Sequence, residues 1–82
     1  MKSKIQLFVS QKVTEYRTKK GWSFRYLADC MNVHHSFIQR CENPNTNKAF
    51  NLDHISKLAS IFDCKIYDFL PPYPFEEDIN KD

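Results

Sequence analysis

The feature that most narrows the folds open to this chain is the placement of its helix breakers. The only glycine is Gly21, and the four prolines stand at Pro44 and between Pro71 and Pro74. Little therefore interrupts a helix between Ser3 and Leu70, and the reading is all-α. A second regularity sets the boundaries. An apolar residue precedes a polar cap and another follows five residues on: Trp22 and Leu27 about Ser23, Val33 and Ile38 about His34, Phe50 and Ile55 about Asn51, and more weakly Cys64 and Phe69. That offset is the hydrophobic staple at a helix start. It marks four helices after a first one, which begins at a Ser3 cap, carries Ile5, Val9, Val13 and Tyr16 at helical spacing, and ends at Lys19, Lys20 and Gly21. Asn32 and Asp63 stand at the ends of the second and fourth helices, where a left-handed residue is wanted and Asn or Asp replaces glycine. Five short helices are predicted, the fifth over residues 65–70.

Composition bounds what such a bundle can do. A chain of 82 residues fits one small domain with a modest core and leaves little room for an enzyme cleft. Cys30, Cys41 and Cys64 form an odd set without a C-x-x-C pair, which argues against a disulfide framework and for a reducing compartment. Cys41 and Cys64 fall at apolar periodic positions and read as small core residues, while Cys30 falls on a more exposed face. No apolar run approaches the roughly 20 residues that span a bilayer, and no apolar segment follows the N-terminal lysines, so no membrane association and a cytoplasmic location are expected. Residues 1–70 carry 11 Lys and Arg against 6 Asp and Glu, whereas residues 71–82 carry 1 against 4. A basic body with an acidic tail is compatible with a polyanion partner; a solvated mixed-charge surface is the alternative.

The chain divides accordingly into a helical domain, 1–70, and a tail, 71–82, whose sequence PPYPFEEDINKD is expected to be extended or partly disordered. Phe69, Leu70, Tyr73 and Phe75 give this end more apolar surface than a solvated tail requires. Three uses stay open: packing on the first helix, a dimer contact, or a proline-rich segment offered to another protein.

Leu27, Ala28, Met31, Asn32, Val33, Ile38 and Cys41 describe two short helices joined by a sharp turn, with small Ala28 where they cross. His35, Ser36, Gln39 and Arg40 are left facing outward on the third helix. With YRTKKGWS, LADCMNV, SFIQRCEN and NLDHISKLASIFDCKIYDFL in this order, the chain resembles the Cro/repressor-type (Xre-type) helix-turn-helix family of phage repressors and small bacterial regulators, over about residues 9–70. The resemblance implies a lambda-repressor-like DNA-binding domain with a structural ion pair between Arg17 and Glu42. It implies base reading by His34, His35 and Ser36 at the start of the third helix and by Gln39 and Arg40 further along. Two positions depart from the family. Its glutamine at the first position of the second helix, an amide that contacts phosphate, is Phe24 here, and Arg25 is the candidate to take its place. Its Ser or Thr cap of the third helix is His34, a poorer cap, so either this helix start frays or the imidazole points at DNA.

The chemistry of these residues weighs the same way. Adjacent His34 and His35 project about 100° apart on a helix, so one metal ion cannot easily use both, and no metal site or cofactor is expected. Arginine fits the O6 and N7 of guanine and glutamine the N6 and N7 of adenine, which suits Arg40 and Gln39 to direct readout. Lys48, with Asn45, Thr46 and Asn47, fills the loop after the third helix; a backbone contact and a plain solvated loop compete there. A catalytic reading would need a nucleophile and base in a dry pocket, and only a cysteine with a histidine is on offer. The function expected is sequence-specific transcriptional regulation by a homodimer on double-stranded DNA with an inverted-repeat operator. The alternatives are an antitoxin whose tail holds a toxin, and a protein-interaction module that keeps the fold.

Overall fold

In the computed structural model, which describes residues 1–79, the chain folds as α1 (Lys4–Lys19), α2 (Phe24–Met31), α3 (His35–Glu42), α4 (Leu52–Phe62), a 3₁₀ turn (Ile66–Phe69) and α5 (Glu76–Ile79). There is no strand among the described residues. Each start is fixed locally. The Ser3 hydroxyl accepts from the Gln6 amide at 3.3 Å, and the Gln6 side chain accepts from the Ser3 amide at 2.9 Å, closing a capping box. Ser23 accepts from the Tyr26 amide at 3.0 Å, and Asn51 accepts from the His54 amide at 2.8 Å. The ends are equally local: Gly21, Asn32 and Asp63 take φ values of 72°, 59° and 54°, the left-handed conformation that stops a helix.

The core gathers Val9 and Val13 of α1, Leu27, Ala28 and Met31 of α2, Ile38 and Cys41 of α3, Ile55, Leu58, Ala59 and Phe62 of α4, with Phe50 and Phe69. The most extensive packing between helices is that of α2 on α3, and Ala28 of α2 is fully buried. Close approach of two short helices requires such a small residue at the crossing. Trp22 stacks on Phe62 at 5.1 Å between ring centroids, and Tyr16 lies edge-on to the same ring at 5.6 Å, so an aromatic layer ties α1 and α4 across the start of α2. Cys64 is half-buried at the rim of the core, and Ile5 is exposed rather than part of it.

Two expectations change. The helix over 65–70 is not α but a single 3₁₀ turn, Ile66–Phe69, followed by Leu70, whose φ of −111° and ψ of 146° are extended. The cause is Pro71, which disfavours the helical conformation in the residue before it. The segment after it is not simply extended either. Glu76–Ile79 forms one helical turn, with three acidic residues at its positive end. Phe75 packs on Phe8 of α1 at 6.4 Å between centroids. The Asp78 carboxylate accepts from the backbone amides of Lys4 and Ile5, each at 3.0 Å, capping the α1 N-terminus from outside. Residues 80–82 of the tail lie outside the described residues.

Candidate nucleic-acid interface

The helix α3 is two-faced by construction. Ile38 and Cys41 are wholly buried against α2, while Gln39 and Arg40 are exposed on the opposite side. Burial pushes the Cys41 thiol up to about 11, so it stays protonated and packs as an apolar group.

At the start of α3 the cap is made, and not by a hydroxyl. The His34 Nδ1 accepts from the Ser36 amide at 3.2 Å and lies 2.9 Å from the Ser36 hydroxyl, and the His34 and His35 rings stack at 4.4 Å. The start is therefore not frayed, because an imidazole nitrogen supplies the acceptor that serine or threonine supplies elsewhere. An accepting Nδ1 leaves the ring proton on Nε2, the atom available to an outside partner. His34, His35 and Ser36 thus form one cluster, with His34 exposed and the other two half-buried. One turn further, Arg40 Nε approaches the Ser36 carbonyl at 3.4 Å, which draws the arginine back along the same face.

Lys48 is exposed in the following loop, its ammonium 5.8 Å from the Phe37 ring centre. Arg25 is exposed on α2, and no side-chain bond joins it to α3 among the described residues. Behind the surface, Arg17 Nε and Nη2 meet the two Glu42 oxygens at 2.7 and 2.9 Å, a bidentate pair. Thr14 donates to Glu42 at 2.8 Å, and Arg17 Nη1 donates to the Trp22 carbonyl at 2.7 Å. The Phe24 ring centre lies 4.2 Å from the Arg17 guanidinium carbon, so the ring covers the pair.

Sequence reasoning passed over four residues that hold this surface. Lys57 of α4 donates to the Met31 carbonyl at the end of α2, at 3.1 Å. Ser10, buried in α1, donates to the Cys41 carbonyl of α3 at 2.6 Å. Asp78 and Lys2 complete the set, and neither carries a local signal, because their partners lie more than 40 residues away in sequence or nearly so. No three His, Cys, Asp or Glu side chains among the described residues come together as a metal site. No helix among them is long and apolar enough to cross a membrane.

Two short helices packed on each other across a sharp turn, the second with a core face and a polar outer face, define a helix-turn-helix domain. Residues 12–74 match the Cro/C1-type helix-turn-helix DNA-binding domain, and the chain belongs to that family. The fold is also that of the crystal structure of a hypothetical transcription factor from Neisseria, NHTF, with a TM-score of 0.70 at 23% identity over 92% of this chain and 82% of the other. No curated protein matches the chain. The family is one of DNA-binding domains, and the outer face of α3 is the candidate contact surface.

Proposed function

We propose that the chain is a cytoplasmic, sequence-specific transcriptional regulator that lays α3 in the major groove of double-stranded DNA. The observation that carries this reading is the outer face of α3, where His34, His35, Ser36, Gln39 and Arg40 stand along one helix whose inner face is locked in the core. Arg40 and Gln39 have the donors and acceptors for base edges, and Arg25 and Lys48 supply flanking positive charge for phosphates. The Arg17–Glu42 pair acts structurally, fixing the end of α3 to α1.

One α3 contacts too few base pairs to single out a genomic site, so the regulator acts as a homodimer on an inverted repeat. The dimer surface in this reading centres on the 3₁₀ turn. Ile66, Tyr67 and Tyr73 are 49%, 64% and 79% exposed there, while Phe69 and Phe75 pack on the chain's own aromatic rings and are removed from it. The antitoxin alternative needs a tail held out to a toxin, and the docking of Phe75 and Asp78 on α1 weighs against it. Phe24 favours the interaction-module alternative, since it has no amide to offer a phosphate. Titration on heterologous duplex DNA at several salt concentrations separates the regulator from the interaction module, and copurification of a second protein with the chain marks the antitoxin. A regulator binds with an affinity that falls steeply as salt rises, and an interaction module binds weakly at every salt.

A further inference from the structure

The three main helices that follow α1 end in two different ways. α2 and α4 stop themselves through the left-handed residues Asn32 and Asp63. α3 does not: Asn43 at its end is extended, with φ −75° and ψ 119°, so this helix has no left-handed residue to turn the chain back on its last carbonyls. The Thr46 hydroxyl donates to the Arg40 carbonyl, and the rest of this end is held by one side chain from the other end of the chain. The Lys2 ammonium shares its three N–H groups among four acceptors within reach: the Arg40 carbonyl at 3.2 Å, the Asn43 carbonyl, and the Thr46 carbonyl and hydroxyl at 3.1 and 3.0 Å.

Lys2 is only 5% exposed, and no carboxylate pairs with it among the described residues. Burying an ammonium without a counter-charge is costly unless its donors are satisfied, and here backbone carbonyls at the negative end of a helix satisfy them. Burial lowers the Lys2 pKa below its ordinary value, as expected of a cation held by dipoles alone. The residue before α1 is itself held, because the Ser3–Gln6 box and the Asp78 carboxylate fix the first turn immediately after Lys2.

We infer that Lys2 is a positioning residue for the DNA-reading surface, capping the C-terminus of α3 and closing the Asn43–Thr46 turn so that Arg40 and the following loop are presented in one geometry. This rests on the reading of α3 as the DNA-reading helix. It differs from the obvious role of an N-terminal lysine, which is to touch phosphate directly.

The test replaces the ammonium by an apolar side chain of similar length, Lys2→Met, in the full chain. Amide hydrogen exchange on the free protein is expected to speed up from Arg40 to Asn47 while the α2 and α4 amides keep their protection. Affinity for a selected operator is expected to fall about tenfold, the equivalent of one lost charge-assisted bond. The slope of log affinity against log salt is expected to stay that of wild type. A slope shallower by about 0.9 with unchanged exchange would make Lys2 a phosphate contact and overturn the inference. Uniformly faster exchange across all helices would also overturn it, by making the effect one of general stability.

Should Lys2→Met fail to fold, Lys2→Gln keeps a polar side chain while removing the charge and part of the reach, and it leaves the Thr46 hydroxyl bond to the Arg40 carbonyl in place. Faster exchange confined to the same segment supports the inference, and unchanged exchange there sinks it. If the wild-type chain binds no DNA, the functional reading fails, whereas the exchange result still decides whether Lys2 holds the end of α3.

Discussion

Glu42→Ala is the substitution whose effect the structure sets most firmly. The Glu42 side chain is 6% exposed and that of Arg17 11%, so neither can turn to water without moving its helix. Glu42 accepts three bonds, two from Arg17 and one from Thr14. Its removal leaves a buried guanidinium under the Phe24 ring with only the Trp22 carbonyl for company. Breaking a buried pair in this way costs about 3–5 kcal/mol, far above the ~1 kcal/mol ceiling of an exposed pair. For a domain of this size each kcal/mol lowers the melting temperature by about 4–8 °C, so the expected loss is at least ~12 °C. Arg17→Ala should fall in the same range. The double variant Arg17→Met with Glu42→Leu removes both charges together and should recover most of the loss, because an apolar pair of similar volume is often neutral. Thermal unfolding followed by circular dichroism of this double variant and of its two single components, Arg17→Met and Glu42→Leu, closes a double-mutant cycle and gives the coupling directly. Single variants that melt within about 2 °C of wild type would refute the reasoning, which assigns nearly the whole effect to an uncompensated buried charge.

Three further outcomes follow from the same contacts. His54 sits in the α4 capping box with its Nδ1 accepting from the Asn51 amide at 3.0 Å, and burial followed by nearby Lys57 pulls its pKa below the ordinary value. The unfolded chain therefore takes up that proton first, so this contribution is intact above about pH 6.5 and is lost as pH falls below it; melting curves from pH 7.5 to 5 should decline, and less so in His54→Gln. Asp78→Ala should cost about 0.5–2 kcal/mol through loss of the α1 cap, visible in urea unfolding as a lower midpoint at unchanged slope. Arg25→Ala and Lys48→Ala should weaken operator and random DNA alike, whereas Gln39→Ala should narrow the gap between them; equal losses on both DNAs would move Gln39 to the backbone class.

How much of this was legible in the sequence depended on how far apart the partners stand. Helix starts at Ser3, Ser23 and Asn51 and stops at Gly21, Asn32 and Asp63 could be read because each cap is made within a few residues of itself. The outer face of α3 was legible for the same reason, since helical spacing separates Gln39 and Arg40 from Ile38 and Cys41. The staple at Cys64 and Phe69 placed a helix over 65–70 but not its type, because it fits a single 3₁₀ turn as well as an α-helix, and Pro71 decides between them. The signal for α5 was present in three acidic residues shortly after Pro74, but the prolines before it dominated the reading. Nothing near Lys2 or Ser10 in the chain announces that they bond the end of α3, because those bonds close only when α1 has packed.

Selection of binding sites from random duplexes by the full chain, repeated with Arg40→Ala, tests most directly whether α3 reads sequence. The wild-type chain should enrich one motif of two inverted half-sites with centres about 10 base pairs apart, one turn of the duplex. Arg40→Ala should relax the preference at a single symmetric position in both halves, at a cost of about 1–3 kcal/mol in discrimination. A wild-type pool no different from the starting library, at salt low enough for the chain to be bound, would contradict the account and leave the outer face of α3 to some other partner.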